Sequence, residues 1–155
     1  MNETTFTEHI RRLEPCMFRM GMSLLWQEDD VADAMQEAIL KAWAKLPSLK
    51  NPAYFDTWLI RILINECRNI QRKNKRRPLP LEEAAAVASP VPDPQLRDAL
   101  RSMPEQLRLP LVMHHVEGIG LPDVSKALKI PVTTVKSRLF RARKMLKELL
   151  NEEVE

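Results

Sequence analysis

Apolar residues recur at spacings of three and four through most of the chain, the signature of amphipathic helices. Ile10, Leu13, Met17, Met20 and Leu24 form the first such stripe. Pro15 lies inside it and predicts a kink or break, or the start of a second helix. Val31, Met35, Ala38, Ala42 and Leu46 form the next stripe, with Asp29 or Asp30 as its cap and Pro47 as its stop. A loop from Pro47 to Asn51 follows. Asn51-Pro52 then reads as a cap and a first-turn proline, opening a long helix with Phe55, Leu59, Leu63, Cys67 and Ile70 on one face. That helix runs out in the basic cluster Arg72-Lys-Asn-Lys-Arg-Arg77.

The periodicity lapses between Arg77 and Gln95. Five of the twelve prolines fall in residues 78–94, and they block long helices and predict a semi-extended linker, with a short helix over Leu81 to Ala88 only if something binds it. Beyond it, helices are predicted over Leu96 to Ser102 and over Pro104 to Val116, the latter with Pro110 as a misfit that kinks it. A turn at Glu117 to Gly120, a short helix over Leu121 to Leu128 and a turn at Lys129 to Pro131 lead to a final helix. Thr133 or Thr134 caps that helix, which reaches about Leu150. On it Val132, Val135, Leu139, Ala142, Leu146 and Leu149 make the apolar stripe, while Lys136, Arg138, Arg141, Arg143, Lys144 and Lys147 occupy the rest of the surface. Short helix, tight turn and basic helix make a helix-turn-helix.

The expected fold is therefore all-α: two small helical domains, residues 1–77 and 95–155, joined by the Pro-rich linker 78–94. Composition agrees, with only three glycines in 155 residues, too few for the turns of a sandwich or barrel. The net charge of +3 says less than its distribution. Residues 1–77 hold thirteen basic against ten acidic side chains, 78–94 none against three, and 95–155 eleven against eight. Two basic segments thus flank an acidic connector, as a polyanionic partner would favour. The polar N-terminus and the lack of any long apolar stretch indicate neither secretion nor insertion, so a cytoplasmic location is expected. Cys16 and Cys67 lack disulfide-framework or metal-ligand spacing and read as thiols in a reducing compartment.

Catalytic patterns are missing. His9, His114 and His115 have no zinc spacing, nucleophile elbow or glycine-rich phosphate loop near them. Asp29, Asp30, Asp33 and Glu37 cluster at a helix start, where they complement the helix dipole. No enzyme activity, metal, cofactor or small-molecule substrate is expected. Binding chemistry is better represented. Thr133, Thr134, Lys136, Ser137, Arg138, Arg141, Arg143 and Lys144 lie where a groove-bound helix meets base edges and phosphates. Arg68, Arg72, Lys73, Lys75, Arg76 and Arg77 suit phosphates as well, although solvated helix termination also explains them. Trp43, Tyr54, Phe55 and Trp58 surround the Pro47 to Asn51 loop. Phe55 and Trp58 are expected mainly to pack, with Tyr54 the better candidate for stacking on unpaired bases.

Three segments carry a family resemblance. Asp30-Val-Ala-Asp-Ala-Met-Gln-Glu-Ala-Ile-Leu-Lys-Ala-Trp43 resembles the polymerase-binding helix of region 2 of sigma factors, and Phe55-Asp-Thr-Trp-Leu-Ile-Arg-Ile-Leu-Ile-Asn65 resembles the helix after it. Glu117-Gly118 with Ile130-Pro-Val-Thr-Thr-Val-Lys-Ser-Arg-Leu-Phe-Arg-Ala-Arg143 is similar to region 4. The chain is thereby identified as resembling the extracytoplasmic-function (ECF) group of the sigma-70 family, non-catalytic factors that direct RNA polymerase to promoters. Lys129, where a glycine is common, Pro122, where an aromatic or polar residue is usual, and Ala34-Met35, where branched aliphatics are usual, depart from the pattern.

The resemblance implies core RNA polymerase, through its beta-prime and beta subunits, as a partner. Asp30, Asp33, Gln36, Glu37, Lys41 and Trp43 would form the contact. It implies that Ser48, Lys50, Asn51, Tyr54, Trp58, Arg61, Arg68, Arg72 and Lys73 recognise and melt the minus-ten promoter element. The final helix would read the minus-thirty-five element as duplex, and the linker would run near the RNA exit path. An anti-sigma factor, possibly membrane-anchored, would regulate the whole. A dimeric helix-turn-helix regulator independent of polymerase is the alternative, and a helical protein-binding adaptor is a second; neither explains the Asp30 to Trp43 and Phe55 to Asn65 segments together.

Overall fold

The computed structural model describes residues 1–76 and 93–154. The chain divides into two compact units, Met1–Ala88 and Ser89–Glu155. Among the described residues every regular element is helical. The linker expected over 78–94, with its short helix at Leu81 to Ala88, lies outside the described residues except at its last two positions.

In the N-terminal unit, α1 spans Glu3–Leu25, α2 Glu28–Lys45 and α3 Phe55–Arg76. Asn2 caps α1 by accepting from the Thr5 amide at 2.8 Å. Pro15 neither breaks nor restarts this helix, two of the three outcomes that the sequence leaves open. It lies on the exposed side between Glu14 and half-buried Cys16, so the carbonyl it leaves unpaired meets water, while Leu13, Met17 and Met20 hold the buried side in register. The helix ends at Trp26, which takes a left-handed conformation (φ 61°) and donates its amide to the Met22 carbonyl at 3.1 Å.

Gln27, not Asp29 or Asp30, occupies the cap position of α2, leaving both aspartates in the first turn, where they complement the dipole. The buried stripe is Val31, Ala34, Ala38 and Ala42, with Met35 only half-buried. Small residues there let α2 lie close to α1 and α3. Gly21 marks the tightest approach: a Cβ at that position would stand 2.6 Å from Val31 Cγ1. Gly21→Ala is therefore expected to destabilise this unit by about 1–3 kcal/mol, read as a lower thermal midpoint; an unchanged midpoint would show that Val31 moves aside without penalty.

Short 3-10 turns at Leu46–Ser48 and Pro52–Tyr54 flank the loop between α2 and α3. Asn51 caps the second turn by accepting from the Ala53 amide at 3.0 Å. Phe55, Leu59, Leu63, Ile64 and Cys67 then fill the core with Met17, Met20 and Met22 of α1. Polar ties fix the helices further. Arg12 donates to both oxygens of Asp56 at 2.7 and 3.0 Å, and Gln71 donates to the Leu24 carbonyl at 3.0 Å.

The C-terminal unit holds α4 (Pro94–Ser102), α5 (Glu105–Leu111), α6 (Leu121–Leu128) and α7 (Val132–Val154). Asp93 caps α4, so the helix starts two residues before Leu96. Pro104 precedes α5, and Pro110 sits inside it without ending it. Burial of Leu107, Leu109 and Leu111 around the proline outweighs the one missing hydrogen bond. The chain then widens into a π turn over Val112–Val116, closed by the Glu117 amide on the Val112 carbonyl at 3.0 Å. Arg108 is buried, with its Nη1 donating to the Met103 carbonyl at 2.7 Å. Desolvation lowers its pKa, and the nearby Glu105 charge partly opposes that shift.

Between α6 and α7 the chain turns at Lys129, a left-handed residue (φ 58°, ψ 44°) where the turn would accept glycine without strain. Lys129→Gly is expected to raise the unit's stability by about 0.5–1 kcal/mol in denaturant melts; a lowered midpoint would mean that the lysine side chain contributes more than the strain removes. The last helix begins at Val132, so Thr133 and Thr134 lie in its first turn and do not cap it. Val124, Val135, Leu139 and Ala142 are fully or nearly fully buried and lock α6 against α7.

Candidate polymerase and nucleic-acid interfaces

Three surfaces emerge from this packing. On α2, burial of Val31, Ala34, Ala38 and Ala42 turns Asp33, Gln36 and Glu37 outward, all three exposed. Asp30 is half-buried and accepts from Asn74 Nδ2 of α3 at 3.0 Å. Lys41 reaches inward across the helix pair, its Nζ 2.5 Å from Glu66 of α3. Its pKa is raised, first by the hydrogen bond to Glu66 and less by the charges of Glu66 and Glu37. Glu66 is almost wholly buried, so Lys41 serves as its counter-ion inside the domain. Asp30, Asp33, Glu37 and Lys41 line an open groove whose other wall is Glu66, Asn69, Ile70, Lys73 and Asn74. Lys73 thus stands with the acidic residues of α2, away from the other basic candidates of α3.

Periodicity misses Leu40. It is 56% exposed, seven residues after Asp33 and three after Glu37, so it shares their face. A large apolar side chain held in water beside carboxylates is a common feature of a contact surface. Trp43 is 45% exposed while its ring packs edge-on against Phe6, with centroids 5.0 Å apart. It is anchored on one side and open on the other.

The second surface runs along the start and outer side of α3. Tyr54, Trp58, Arg61, Asn65, Arg68 and Arg72 follow one another at spacings of four and three and lie on one stripe. Tyr54 is 48% exposed, while half-buried Trp58 leans on the buried Phe55 ring at 5.9 Å. Arg72 donates to Asn69. Ser48, Lys50 and Asn51 are exposed in the loop before the stripe, with Ser48 Oγ donating to the Lys45 carbonyl at 2.6 Å. The stripe thus sets an exposed ring at one end of a row of guanidinium and amide groups, side chains of the kinds that stack on bases and hold phosphates.

The third surface is the outside of α7. Thr133, Lys136, Ser137, Phe140, Arg141 and Lys144 are exposed, and Thr134 and Arg138 are half-buried at its edge. Phe140, 68% exposed, is the most exposed large apolar residue among those described. It is apolar, yet its offset from Val135, Leu139 and Ala142 places it outside the buried stripe. Arg143 is exposed but turned toward the π turn: its Nε donates to His115 Nε2 at 2.8 Å. The structure therefore brings Lys136, Ser137, Arg141 and Lys144 together and sets Arg143 apart.

Among the described residues no group of His, Cys, Asp and Glu could hold a metal ion, and no helix is long and apolar enough to cross a membrane. A helix-turn-helix with a basic outer helix, in a chain whose other helical unit bears an acidic face and an aromatic-basic stripe, defines the class: a DNA-binding transcription factor whose work is binding. Comparison with known proteins resolves the class further. Residues 6–77 match the model of sigma-70 region 2, and residues 94–146 match that of sigma-70 region 4. The ECF RNA polymerase sigma-E factor of Escherichia coli K12 is 31% identical over 137 residues, covering 76% of this chain and 72% of that protein. The corresponding factor of Haemophilus influenzae is 29% identical over 139 residues, covering 76% and 73%. Among solved structures, the sigma factor RpoE in complex with the anti-sigma factor NepR from Bartonella quintana superposes with a TM-score of 0.79 at 25% identity, covering 95% of this chain and 97% of that one. CnrH in complex with the cytosolic domain of CnrY gives 0.76 at 26% identity, covering 97% and 90%. The chain belongs to the sigma-70 family of RNA polymerase sigma factors, in its ECF group. It is a non-catalytic initiation factor that works with RNA polymerase.

Proposed function

We propose that the exposed face of α2, with Asp33, Gln36, Glu37 and Leu40 at its centre, docks on the beta-prime subunit of core polymerase. The loop of Ser48, Lys50 and Asn51 and the stripe from Tyr54 to Arg72 then engage the minus-ten element, and the outer face of α7 engages the minus-thirty-five duplex. The observation that carries this assignment is the exposure of Leu40, Tyr54 and Phe140, one per surface, each surrounded by polar side chains suited to its target. Opening DNA in this scheme requires no covalent step. Stacking an extruded base on Tyr54, with phosphates held by Arg61, Arg68 and Arg72, offsets the few kcal/mol lost on unstacking it, so binding shifts the closed-to-open equilibrium. Residues 1–77 form the polymerase and minus-ten domain, 78–94 the linker and 95–155 the minus-thirty-five domain.

Both structural relatives are in complex with a partner, one with the anti-sigma factor NepR and the other with the cytosolic domain of CnrY. We place this chain under the same kind of control, by a partner that covers these surfaces until a signal releases it, and in the cytoplasm with the polymerase it serves. A photo-crosslinking amino acid at position 40, 54 or 140 tests the three assignments separately in a polymerase–promoter complex. Position 40 should label beta-prime, position 54 the non-template strand within the bubble, and position 140 upstream duplex. Labelling of duplex from position 40, or of polymerase alone from position 140, would overturn the corresponding assignment.

A further inference from the structure

Arg143 is the one strongly basic candidate of α7 held by a side chain of another element. Its partner, His115, sits on the π turn and meets α7 there. The neighbouring ring is committed elsewhere: His114 Nδ1 contacts the Ile119 carbonyl at 2.8 Å, which requires a proton on that nitrogen. The Arg143 contact has the opposite requirement. A guanidinium Nε–H can only donate, so His115 Nε2 must be an unprotonated acceptor.

We propose that His115 is a proton-sensitive latch: neutral, it holds the Arg143 guanidinium against the apolar groove between α4, the π turn and α7, and protonated, it releases Arg143 toward DNA. Protonation turns Nε2 from acceptor into donor and sets two cations side by side, so the contact is lost rather than weakened. The charged or titratable groups around the ring are Arg143 and Lys147 from α7, and His114 and Glu117 from its own segment. From α4 the groove presents Leu96 and Leu100, which carry no charge. Burial, then Arg143, then His114 each lower the His115 pKa below the ordinary histidine value. The latch is therefore closed at neutral pH and opens only in acid, below the range in which an ordinary histidine titrates. Release adds one mobile cation at the edge of the face bearing Lys136, Arg141 and Lys144, which strengthens attraction to phosphates.

The DNA consequence rests on the assignment of α7 to the promoter duplex; the latch itself does not, and the two are tested separately on the full chain. Water exchange of the Arg143 Nε–H, followed by NMR and assigned with Arg143→Lys, should be about twofold to fivefold slower than that of Arg141 at neutral pH, with the difference gone in acid. His115→Gln, whose amide oxygen accepts at any pH, should keep the protection and lose its pH dependence, and His115→Phe should lose the protection throughout. Arg143→Gln should move the His115 titration upward. Equal exchange of Arg143 and Arg141 at neutral pH, or a His115 titration indifferent to Arg143→Gln, would overturn the latch. Affinity for a mixed-sequence DNA duplex should rise more on acidification in the native chain than in His115→Gln; parallel rises would overturn the release of Arg143 toward DNA. No duplex binding by either protein would contradict the assignment of α7 instead, leaving the exchange result to decide the latch.

Discussion

Asp33→Lys combined with Glu37→Lys is expected to weaken binding to core RNA polymerase by roughly a hundredfold, about 2.7 kcal/mol, while leaving the fold intact. Both carboxylates are exposed, so reversing them removes no packing. The interior of the domain keeps its own charge balance, because Lys41 remains paired with Glu66. The loss should appear as faster dissociation from core polymerase in a surface-capture assay, with unchanged circular dichroism and thermal midpoint. Lys41→Met is a contrasting case. It strands the buried Glu66 and should lower the thermal midpoint, whereas the double reversal should not. A folded double mutant that bound core polymerase normally would show that the α2 face lies outside the interface.

The second large effect is expected at the other end of the chain. Arg141→Glu with Lys144→Glu reverses two exposed cations on the outer face of α7 and should cut promoter-directed initiation by about one to three orders of magnitude without altering core affinity. Each lost contact is worth about 1–3 kcal/mol if it reaches a base edge, and each lost phosphate contact lowers the salt slope of binding by about one. Salt dependence separates the two kinds of contact. A slope reduced by about two with unchanged sequence preference would make both residues phosphate contacts, and a relaxed preference at one base pair would make one of them a reader. Unaltered initiation would remove this face from the DNA interface.

Much of this arrangement is legible in the residues before any coordinates. The stripe Val135, Leu139 and Ala142 with its basic remainder identifies the outer helix, because a 3.6-residue period leaves little choice about which side is buried. Asn51-Pro52 and Gly118 mark turns through local backbone chemistry alone, the latter at φ 70°. What escapes is decided by competition between elements. Pro15 looks like a possible break and Pro110 like a kink because their local cost is plain, while the burial that outweighs it depends on what each helix packs against. Leu40 and Phe140 fall outside the apolar stripes of their helices, but only packing shows how far each stands in water. Lys41 reads as one more charge on the polymerase face, yet its closest partner, Glu66, lies twenty-five residues away along the chain. The contact of Arg143 with His115 spans twenty-eight residues and depends on a π turn with no sequence signal of its own.

The most direct test mixes the purified chain with bacterial core polymerase, isolates the complex, and transcribes a fragment library with and without it. Stable core association is expected, with new, discrete start sites that share a pair of upstream elements and disappear when the chain is omitted. Binding to duplex DNA without core association and without new start sites would contradict this expectation.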